Sequence, residues 1–455
     1  MQLVPGTVAA VLGVGTAGLS MVRYLHKNQI QVRASEQRSI EKLDPVLLAE
    51  LQALDVTLET SGHTVAFLKD VELVATSPGI PLDSPVVKAC RQNSIPVIGE
   101  LALAAGRFAV PVVAVTGSNG KTTVTGLIGH LFQKAGLHPF IGGNIGTPLL
   151  DFFNSSQAYD VAVLELSSFQ LDLAGAFRPD IGVLLNISPD HLDRYSSFAD
   201  YLHAKYRLLS RQRPGDRAVI GHDDTLARRV PLPEAVERYT FGAHRQSDAC
   251  VVGTSVHLRL EERPAEIYAL AGSVLETRIN RGNAAAALLA ARLLGVRPEA
   301  IQAGLADYRP PPHRMERVAT INGVTYINDS KATNVGAMEA ALQSCDSRVV
   351  LVAGGRDKGG NFAALKELVR RKVSYLVLIG EAGQSLAAAF EGVVPCSHAK
   401  GMDDAVTAAK TAAMPGDTVL LAPGCASFDQ FKGYAERGEV FRDCVLKGNT
   451  ASGDA

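Results

Sequence analysis

A glycine-rich segment, TGSNGKTT at residues 116–123, carries the residues of this sequence best suited to bind a nucleoside triphosphate. Apolar residues 112–115 precede it and residues 124–135 follow with helical spacing, which predicts a strand, a glycine loop and a helix. Glycines let backbone N–H groups approach phosphate oxygens, and the start of a helix adds a positive dipole. We therefore expect Lys121 to reach the β and γ phosphates and Thr122 to offer a hydroxyl to Mg²⁺.

This loop departs in one respect from the common phosphate-binding pattern GxxxxGK[ST]. The first glycine of that pattern would fall at Val115, whereas the chain has Gly117 two residues later. A glycine-rich turn capped by Thr122, without a ligand, is therefore an alternative interpretation. The position of GKTT between a strand and a helix favours phosphate binding over that alternative.

Acidic residues follow two further predicted strands and could hold a metal ion. Glu165 closes one apolar run, and Asp190, His191 and Asp193 lie in the loop after the next one. Ligands of parallel sheets bind where the strands end, and Mg²⁺ prefers oxygen, so Glu165 is a natural ligand and His191 an unusual one. The DHLD segment alone is more often a solvated loop, but a phosphate loop two strands away favours a metal site.

Short β-branched runs alternate with longer helical patterns, which predicts parallel sheets covered by helices. At 455 residues the chain is too long for one hydrophobic core. We expect an α/β protein with a Rossmann-like domain at 1–99, a central phosphate-loop domain at 100–310 and a second Rossmann-like domain at 311–455. Three successive prolines at 310–312 mark the last boundary. The predicted strands are residues 8–12, 73–76, 112–116, 161–166, 181–186, 348–353 and 375–379.

The composition excludes several classes of function. Lys and Arg (45) nearly balance Asp and Glu (46), so no net charge attracts the chain to nucleic acid or to an anionic membrane. The six cysteines have no zinc-binding spacing and are expected to be reduced thiols. No leader is expected, and no apolar run approaches the ~18 residues of a membrane span. A cytoplasmic monomer that acts on small molecules is expected.

A second glycine pattern lies near the start of the chain. Gly13, Gly15 and Gly18 form GxGxxG after the first predicted strand, and Glu36 follows about 20 residues later, as in NAD-binding folds. A lone match of this kind is weak support. A tight turn that only allows a helix to pack closely is an alternative interpretation of the glycines.

The last third of the chain carries several motifs that belong together. They are PHRME at 312–316, NDSKATN at 328–334, GGRDKGGNF at 354–362 and CASFDQFKGYAERGEVF at 425–441. With the phosphate loop, the DHLD segment and YLHAKYRLL at 201–209, they resemble the Mur ligases of peptidoglycan synthesis. That family shares its central domain with folylpolyglutamate synthetases.

The resemblance covers nearly the whole chain and implies an ATP-dependent ligase of cell-wall synthesis. The NDSKATN segment is similar to that of the members that join D-glutamate to UDP-N-acetylmuramoyl-L-alanine, because other members carry different residues there. In the implied reaction an acyl phosphate forms, and ADP and phosphate are released. Two Mg²⁺ ions and a carbamylated lysine are the implied cofactors.

The resemblance also assigns roles to individual residues. Lys121, His191 and Lys205 would be catalytic. Mg²⁺ would be held by Thr122, Glu165, His191 and, as its carbamate, Lys205. The ATP-binding residues would be Gly117, Ser118, Asn119, Gly120, Lys121, Thr122, Thr123, Asn283, Arg314 and Asp329. In one departure, relatives have a second asparagine three residues after Asn283 where this chain has Ala286, which puts an adenine contact in question.

Two further sets of residues would bind the other substrates. The UDP-linked substrate would contact Thr16, Ala17, Glu36, Gln37, Ser77, Gly79, Asn144 and Ser167, so the first glycine pattern would hold UDP instead of NAD. D-glutamate would contact Thr333, Lys358, Ser427, Phe428 and Tyr434. Lys358 as a solvated turn residue and Ser427 as a helix cap are the alternatives.

Two rival functions remain. One is an NAD-dependent oxidoreductase that uses the first glycine pattern, and the other is a nucleotide-gated binding protein without chemistry. Both leave Lys205 and the NDSKATN segment unexplained. Phosphate release from ATP that requires both ligase substrates, set against reduction of NAD, would separate the three.

Overall fold

The structure, a computed structural model, describes residues 3–190, 194–357 and 359–447. These residues form an α/β protein with three mainly parallel sheets, as the alternation of strand and helix patterns predicts. None of the helices in the described residues combines the length and the hydropathy needed to cross a bilayer.

The first sheet has five parallel strands in the order β3-β2-β1-β4-β5. Its first strand is the buried run VAAVL, which matches the prediction residue for residue. The strands are β1 (Val8–Leu12), β2 (Gln31–Ser35), β3 (Thr57–Glu59), β4 (Leu73–Thr76) and β5 (Val97–Ile98), and the helices are α1 (Thr16–Lys27), α2 (Pro45–Ala53), α3 (Pro85–Gln92) and α4 (Glu100–Ala104).

The central sheet has nine strands in the order β14-β13-β12-β11-β10-β9-β6-β8-β7. Its strands pair in parallel from β7 to β12, and β13 and β14 extend it as antiparallel strands. The strands are β6 (Val112–Thr116), β7 (Pro139–Gly143), β8 (Val161–Glu165), β9 (Ile181–Leu184), β10 (Arg217–Gly221), β11 (Glu237–Gly242), β12 (Ala249–Val252), β13 (Ser255–Leu258) and β14 (Glu266–Ala269). The helices are α5 (Lys121–Lys134), α6 (Asp151–Asn154), α7 (Ser168–Asp172), α8 (Phe198–Tyr206), α9 (Thr225–Arg228), α10 (Arg278–Leu293) and α11 (Pro298–Asp307).

The third sheet has six strands in the order β15-β16-β20-β17-β18-β19. Alternate residues of β17 enter two different hydrophobic clusters, Leu351 in one and Val350 in the other, so both faces of the sheet are covered. The strands are β15 (Glu316–Ile321), β16 (Val324–Asn328), β17 (Val349–Gly354), β18 (Val373–Ile379), β19 (Cys396–His398) and β20 (Thr418–Leu421), and the helices are α12 (Val335–Ser344), α13 (Lys366–Lys372), α14 (Gly383–Ala389), α15 (Met402–Ala412) and α16 (Tyr434–Lys447).

The chain divides into two compact units. The first contains the first and central sheets, in residues up to 187, 199–273 and 282–308. The second contains the third sheet, from residue 309 onward, together with segments 188–198 and 274–281. The domain boundaries at 99 and 310 stay a prediction.

Candidate active site

The predicted phosphate loop lies where β6 ends and α5 begins. Backbone N–H groups of Ser118 and Asn119 donate to the carbonyl (2.9 Å) and the side-chain Oδ1 (2.8 Å) of Asn186, which follows β9. The Asn186 amide in turn donates to the Asn119 carbonyl at 3.0 Å. Asn186, after the neighbouring strand, therefore fixes the path of the loop. The spacing of residues in the sequence does not reveal this contact.

Two lysines of the central sheet converge on one carbonyl of this loop. The Lys121 ammonium donates to the Gly117 carbonyl at 2.9 Å and to the Ser118 carbonyl at 3.0 Å. The Lys205 ammonium, from α8, donates to the same Gly117 carbonyl at 2.8 Å and lies 4.6 Å from the centre of the Tyr201 ring. Lys205 is almost completely buried. The structure thus places both predicted catalytic lysines at the phosphate loop.

The end of the loop requires glycine. Gly120 has a φ of +87°, a left-handed conformation that L side chains rarely adopt. A Cβ at this position would lie 2.5 Å from the side-chain oxygen of Asn283, a buried residue of α10. Asn283 therefore stands directly against the loop at Gly120. Thr122 and Thr123 of the same loop are also buried.

The predicted metal ligand Glu165 ends the strand next to the phosphate strand. Its Oε1 accepts a 2.9 Å hydrogen bond from the Asn144 amide, whereas its buried Oε2 has no hydrogen-bond partner among the described residues. A buried carboxylate oxygen without a partner costs free energy unless a cation or donor reaches it. Glu165 therefore fits a Mg²⁺ ligand, and Asn144, predicted to contact the UDP-linked substrate, orients it.

The strand order corrects one expectation. The DHLD segment was expected two strands from the phosphate loop, but β6 lies between β8 and β9 and is hydrogen-bonded to both. The ends of these strands therefore flank the loop on both sides. The expectation was wrong because β9, which follows β8 in the chain, crosses over to pair with β6.

The DHLD segment is described only in part. His191 and Asp193 lie outside the described residues, and Asp190 accepts a 2.7 Å hydrogen bond from the Asn334 amide within the second unit. Among the described residues no group of three or more His, Cys, Asp or Glu side chains is arranged to hold a metal ion.

The first glycine pattern shows a need for close packing at one position. A Cβ on Gly18 would lie 1.8 Å from the Gly13 carbonyl oxygen, whereas a Cβ on Gly15 would meet nothing within 4 Å. The Gly13 carbonyl also accepts a 2.7 Å hydrogen bond from the Ser77 hydroxyl. Gly18 thus packs α1 against the turn, while the space at Gly15 is open to a ligand.

Glu36, at the end of β2, binds this turn directly. Its carboxylate accepts hydrogen bonds from the Val14 N–H at 3.0 Å and from the Arg38 side chain at 3.0 and 3.1 Å. Burial alone would raise the pKa of Glu36, but the hydrogen bonds from Arg38 and Val14 outweigh it and lower the pKa to about 2. The remaining predicted contacts of the UDP-linked substrate on this sheet are partly or fully exposed: Thr16, Ala17, Gln37, Ser77 and Gly79.

Ser167 belongs to a buried polar chain that starts at Glu100. The Gln170 amide donates to Glu100 at 2.6 Å, and its oxygen accepts from the Ser167 N–H and hydroxyl, both at 2.8 Å. Ser167 in turn caps α7 by accepting from the Gln170 N–H. Burial raises the pKa of Glu100 to about 7. The predicted substrate residue Ser167 is thus held by a chain that sequence spacing does not show.

Replacing Glu100 by glutamine is expected to flatten the pH dependence of stability. Because the pKa of Glu100 is raised on folding, its contribution is fully present below the unfolded pKa near 4.5 and is lost as pH rises through 7. The loss amounts to roughly 3 kcal/mol. Urea unfolding of the wild type and the variant at pH 5 and pH 8 measures this loss of stability. Glu50→Gln is the control, because Glu50 is partly exposed and forms an ion pair with Arg23. Equal pH dependence in the wild type and Glu100→Gln would contradict the expectation.

In the second unit, two predicted ATP contacts lie together, Arg314 shortly before β15 and Asp329 directly after β16. Burial among protein groups raises the pKa of Asp329 to about 6, and the Arg314 guanidinium and a 3.2 Å hydrogen bond from the Met315 N–H oppose that rise. Asp329 and Arg314 are therefore electrostatic neighbours. Each keeps part of its surface exposed.

The predicted D-glutamate residues come from loops after neighbouring strands of the third sheet. Thr333 lies after β16, and Ser427 lies after β20 with only 2% of its surface exposed. Tyr434 begins α16, and its ring packs under the Lys331 ammonium at 3.8 Å. Phe428 is 65% exposed, so it does not form a closed wall within its own unit. Lys358 lies outside the described residues.

A cavity of about 780 Å³ lies elsewhere in the first unit. It is bordered by Val112, Asp180 and Gln212, at or just before the starts of β6, β9 and β10. Ligands of parallel sheets bind at the opposite, carboxyl edge, where the phosphate loop lies. The cavity is therefore not part of the candidate active site.

Comparison with known proteins agrees with this arrangement. Residues 7–99, 115–291 and 313–425 match, in that order, the Mur ligase MurD-like N-terminal domain, the Mur ligase middle domain and the Mur ligase glutamate ligase domain. A UDP-N-acetylmuramoylalanine--D-glutamate ligase from Desulfotalea psychrophila is 44% identical over 441 residues, which cover 97% of this chain and 96% of that protein. The chain belongs to the Mur ligase family. A ligase of the same name from Acidobacterium capsulatum is 39% identical over 97% of this chain and 96% of its own length.

Solved structures of Mur ligases share the fold. A pseudomurein peptide ligase type C from Methanothermus fervidus superposes with a TM-score of 0.63 and 19% identity, covering 97% of this chain and 100% of that one. The MurF ligase from Thermotoga maritima, solved in complex with ADP, gives a TM-score of 0.60 and 19% identity, covering 98% and 96%. At these identities the likeness shows the fold alone, which is the three-domain Mur ligase architecture.

Proposed function

We propose that this chain is an ATP-dependent ligase that joins D-glutamate to UDP-N-acetylmuramoyl-L-alanine in peptidoglycan precursor synthesis. The observation that carries the proposal is the meeting of Lys121 and Lys205 on the Gly117 carbonyl of the phosphate loop. It occurs in a chain that matches D-glutamate ligases along 97% of its length. Action in the cytoplasm, as a monomer, stays a prediction.

The proposed chemistry explains why ATP is needed. A carboxylate resists attack by an amine because its charge is delocalised and oxide is a poor leaving group. In the first step a substrate carboxylate oxygen bonds to the γ phosphorus, and the bond from that phosphorus to the bridging oxygen breaks with its electron pair passing to ADP. In the second step the D-glutamate nitrogen bonds to the acyl carbon, phosphate leaves with the C–O electron pair, and the amine releases a proton.

The phosphate loop would hold the triphosphate during the first step. Backbone N–H groups at the start of α5 and the Lys121 ammonium provide positive charge beside the phosphoryl oxygens. The bonds from Lys121 to the Gly117 and Ser118 carbonyls keep its ammonium over the loop. The protein's contribution is thus positioning and charge stabilisation, which are the main requirements of phosphoryl transfer.

Glu165 and Thr122 would hold Mg²⁺, and His191 and a carbamylated Lys205 would complete the two metal positions. Mg²⁺ would neutralise charge on the phosphate oxygens. Lys205 is almost completely buried, with its side-chain nitrogen at the phosphate loop, and that position supports the carbamate.

Replacing Lys358 by alanine is expected to raise the Michaelis constant for D-glutamate far more than that for ATP. In the proposed pocket the ammonium holds the side-chain carboxylate while Ser427 and Thr333 fix its orientation. Loss of one partner of a desolvated charge pair costs ~2 to 5 kcal/mol, or roughly 30-fold or more. Phosphate release measured against each substrate in turn tests this.

The exposed Lys366 at the start of α13 supplies the matched control, and Lys366→Ala should leave both constants unchanged. If Lys358→Ala also left them unchanged, the glutamate pocket would have to be sought elsewhere. The wild-type assay tests the function itself, because phosphate release must require both UDP-N-acetylmuramoyl-L-alanine and D-glutamate. Reduction of NAD without ATP hydrolysis would favour the oxidoreductase instead.

A further inference from the structure

Arg437, on α16, is a completely buried arginine whose guanidinium is surrounded by oxygen atoms of three loops. Its Nε donates to the Ser330 hydroxyl at 3.0 Å, and Nη2 donates to the Ser330 carbonyl at 2.8 Å and the Cys425 carbonyl at 3.2 Å. Its Nη1 contacts the carbonyls of Cys425, Ala426 and Gly354 at 3.2, 3.3 and 3.4 Å. One side chain therefore binds four residues in three segments that are distant from one another in the sequence.

The groups that Arg437 contacts are neutral dipoles; among the described residues its guanidinium forms no ion pair, although the nearby Asp429 carboxylate favours its charge. Burial lowers the pKa of Arg437 to about 10, so the guanidinium stays charged near neutral pH. A buried charge that forms no ion pair is costly unless hydrogen bonds satisfy it. The carbonyls must therefore stay close to the guanidinium, and the loops that carry them are held in place.

The three loops follow adjacent strands. β16, β20 and β17 are neighbours in the third sheet, and Ser330, Cys425 with Ala426, and Gly354 lie at their carboxyl ends. These loops carry the residues that the proposed function uses in this unit. Asp329 and Thr333 flank Ser330, Ser427 follows Ala426, and Lys358 lies four residues beyond Gly354.

We propose that Arg437 is a positioning residue that sets the relative places of the three loops that bind D-glutamate, an inference that rests on the proposed function. Only a planar fork with five donors can reach all three loops at once, and lysine has three donors on one nitrogen. The loops pack tightly around the guanidinium. A Cβ on Gly355 would lie 2.2 Å from the Ala426 carbonyl oxygen and 3.1 Å from Nη1 of Arg437.

The test is Arg437→Lys, which keeps the charge but not the fork. We expect the Michaelis constant for D-glutamate to rise by about ten-fold or more, since at least one loop loses its donor. The Michaelis constant for the UDP-linked substrate should change little, because its predicted contacts belong to the first unit. Hydrogen exchange should accelerate in the loops around Ser330, Gly354 and Cys425.

A matched control separates positioning from general stability. Phe441 lies one helical turn further on α16 and is equally buried, so Phe441→Leu should lower the melting temperature without raising the constant for D-glutamate. A milder variant, Ser330→Ala, removes the acceptor of Nε and also the 2.7 Å hydrogen bond from the Ser330 hydroxyl to the Tyr434 carbonyl, and it is expected to fold even if Arg437→Lys does not. It should raise the constant for D-glutamate by about three-fold or more, since each lost hydrogen bond contributes about 0.5 to 1.5 kcal/mol.

The outcomes are distinct. If Arg437→Lys and Phe441→Leu lowered the melting temperature equally and neither changed the constant for D-glutamate or loop exchange, Arg437 would be a structural residue only and the inference would be overturned. Unchanged kinetics in a folded Ser330→Ala variant would also count against it. If the wild type failed to ligate D-glutamate, the proposed function would fall, while faster loop exchange in Arg437→Lys would still show the loop-fixing role.

Discussion

Lys121→Ala is expected to lower the turnover number of ATP-dependent ligation by about 10²- to 10³-fold, the usual effect of removing one donor that stabilises transition-state charge. The Lys121 ammonium lies over the Gly117 and Ser118 carbonyls, and in the proposed reaction it faces the phosphoryl oxygens. The fold should persist, because the side chain is only partly buried and the loop keeps its bonds to Asn186. Initial rates of phosphate release measure the turnover number, and far-UV circular dichroism shows whether the fold persists.

Lys134 ends the same helix and pairs with Asp307 on a partly exposed surface, so Lys134→Ala is the matched control. It should retain wild-type turnover. Near-normal ligation by the Lys121→Ala variant would contradict a role for this lysine in phosphoryl transfer.

Lys205→Ala is expected to lower ligation by about 10³-fold or more, because several kcal/mol of charge stabilisation would be lost with the carbamate. Short carboxylates such as acetate or formate should restore part of the activity by replacing the missing anion. The buried amine lies against the Gly117 carbonyl and the Tyr201 ring, so the alanine variant leaves a space in which a small anion can bind.

The carbamate itself has an independent readout. With ¹³C-enriched bicarbonate the wild-type protein should show a carbamate carbon resonance that is absent from Lys205→Ala. Arg207, two residues later and half-exposed, serves as a control in Arg207→Ala, which should keep both the resonance and the activity. No resonance in the wild type, together with normal ligation by Lys205→Ala, would remove Lys205 from the mechanism.

The sequence predicts the strands of the first and central domains best where both faces are buried. The runs at 8–12, 73–76 and 112–116 match β1, β4 and β6 residue for residue, because a strand covered by helices on both faces is apolar throughout. The predicted ends at 166 and 186 are too late, since β8 and β9 end at Glu165 and Leu184.

Short strands at the edge of the central sheet escape prediction. β12, β13 and β14 have four residues each, which is too short for a clear periodicity, and β13 and β14 also mix apolar with polar residues. The stacking of His222 on His244, with ring centroids 4.2 Å apart, is missed for a related reason. The two rings meet because β10 and β11 pair in parallel, and pairing cannot be read from either segment alone.

The candidate site divides in the same way. Lys121 and Thr122 are predictable from local spacing, because a phosphate loop is one continuous segment. The roles of Asn186 and Asn144 are not, since each acts through a hydrogen bond to a residue on another strand. Arg437 is the clearest case that sequence patterns do not predict. A charged residue on a helix usually indicates a solvated face, but Arg437 is fully buried because loops after three strands supply carbonyl acceptors.

The geometry of Gly120 bears on inhibitor resistance. With a φ of +87° and an Asn283 oxygen 2.5 Å from where a Cβ would stand, this position admits no side chain without displacing its neighbour. A compound that binds the backbone amides here would leave few single-codon resistance mutations, because a substitution at Gly120 that weakens the compound would also distort the proposed ATP-binding loop. Compounds that rely on exposed side chains such as Phe428 would meet no such barrier.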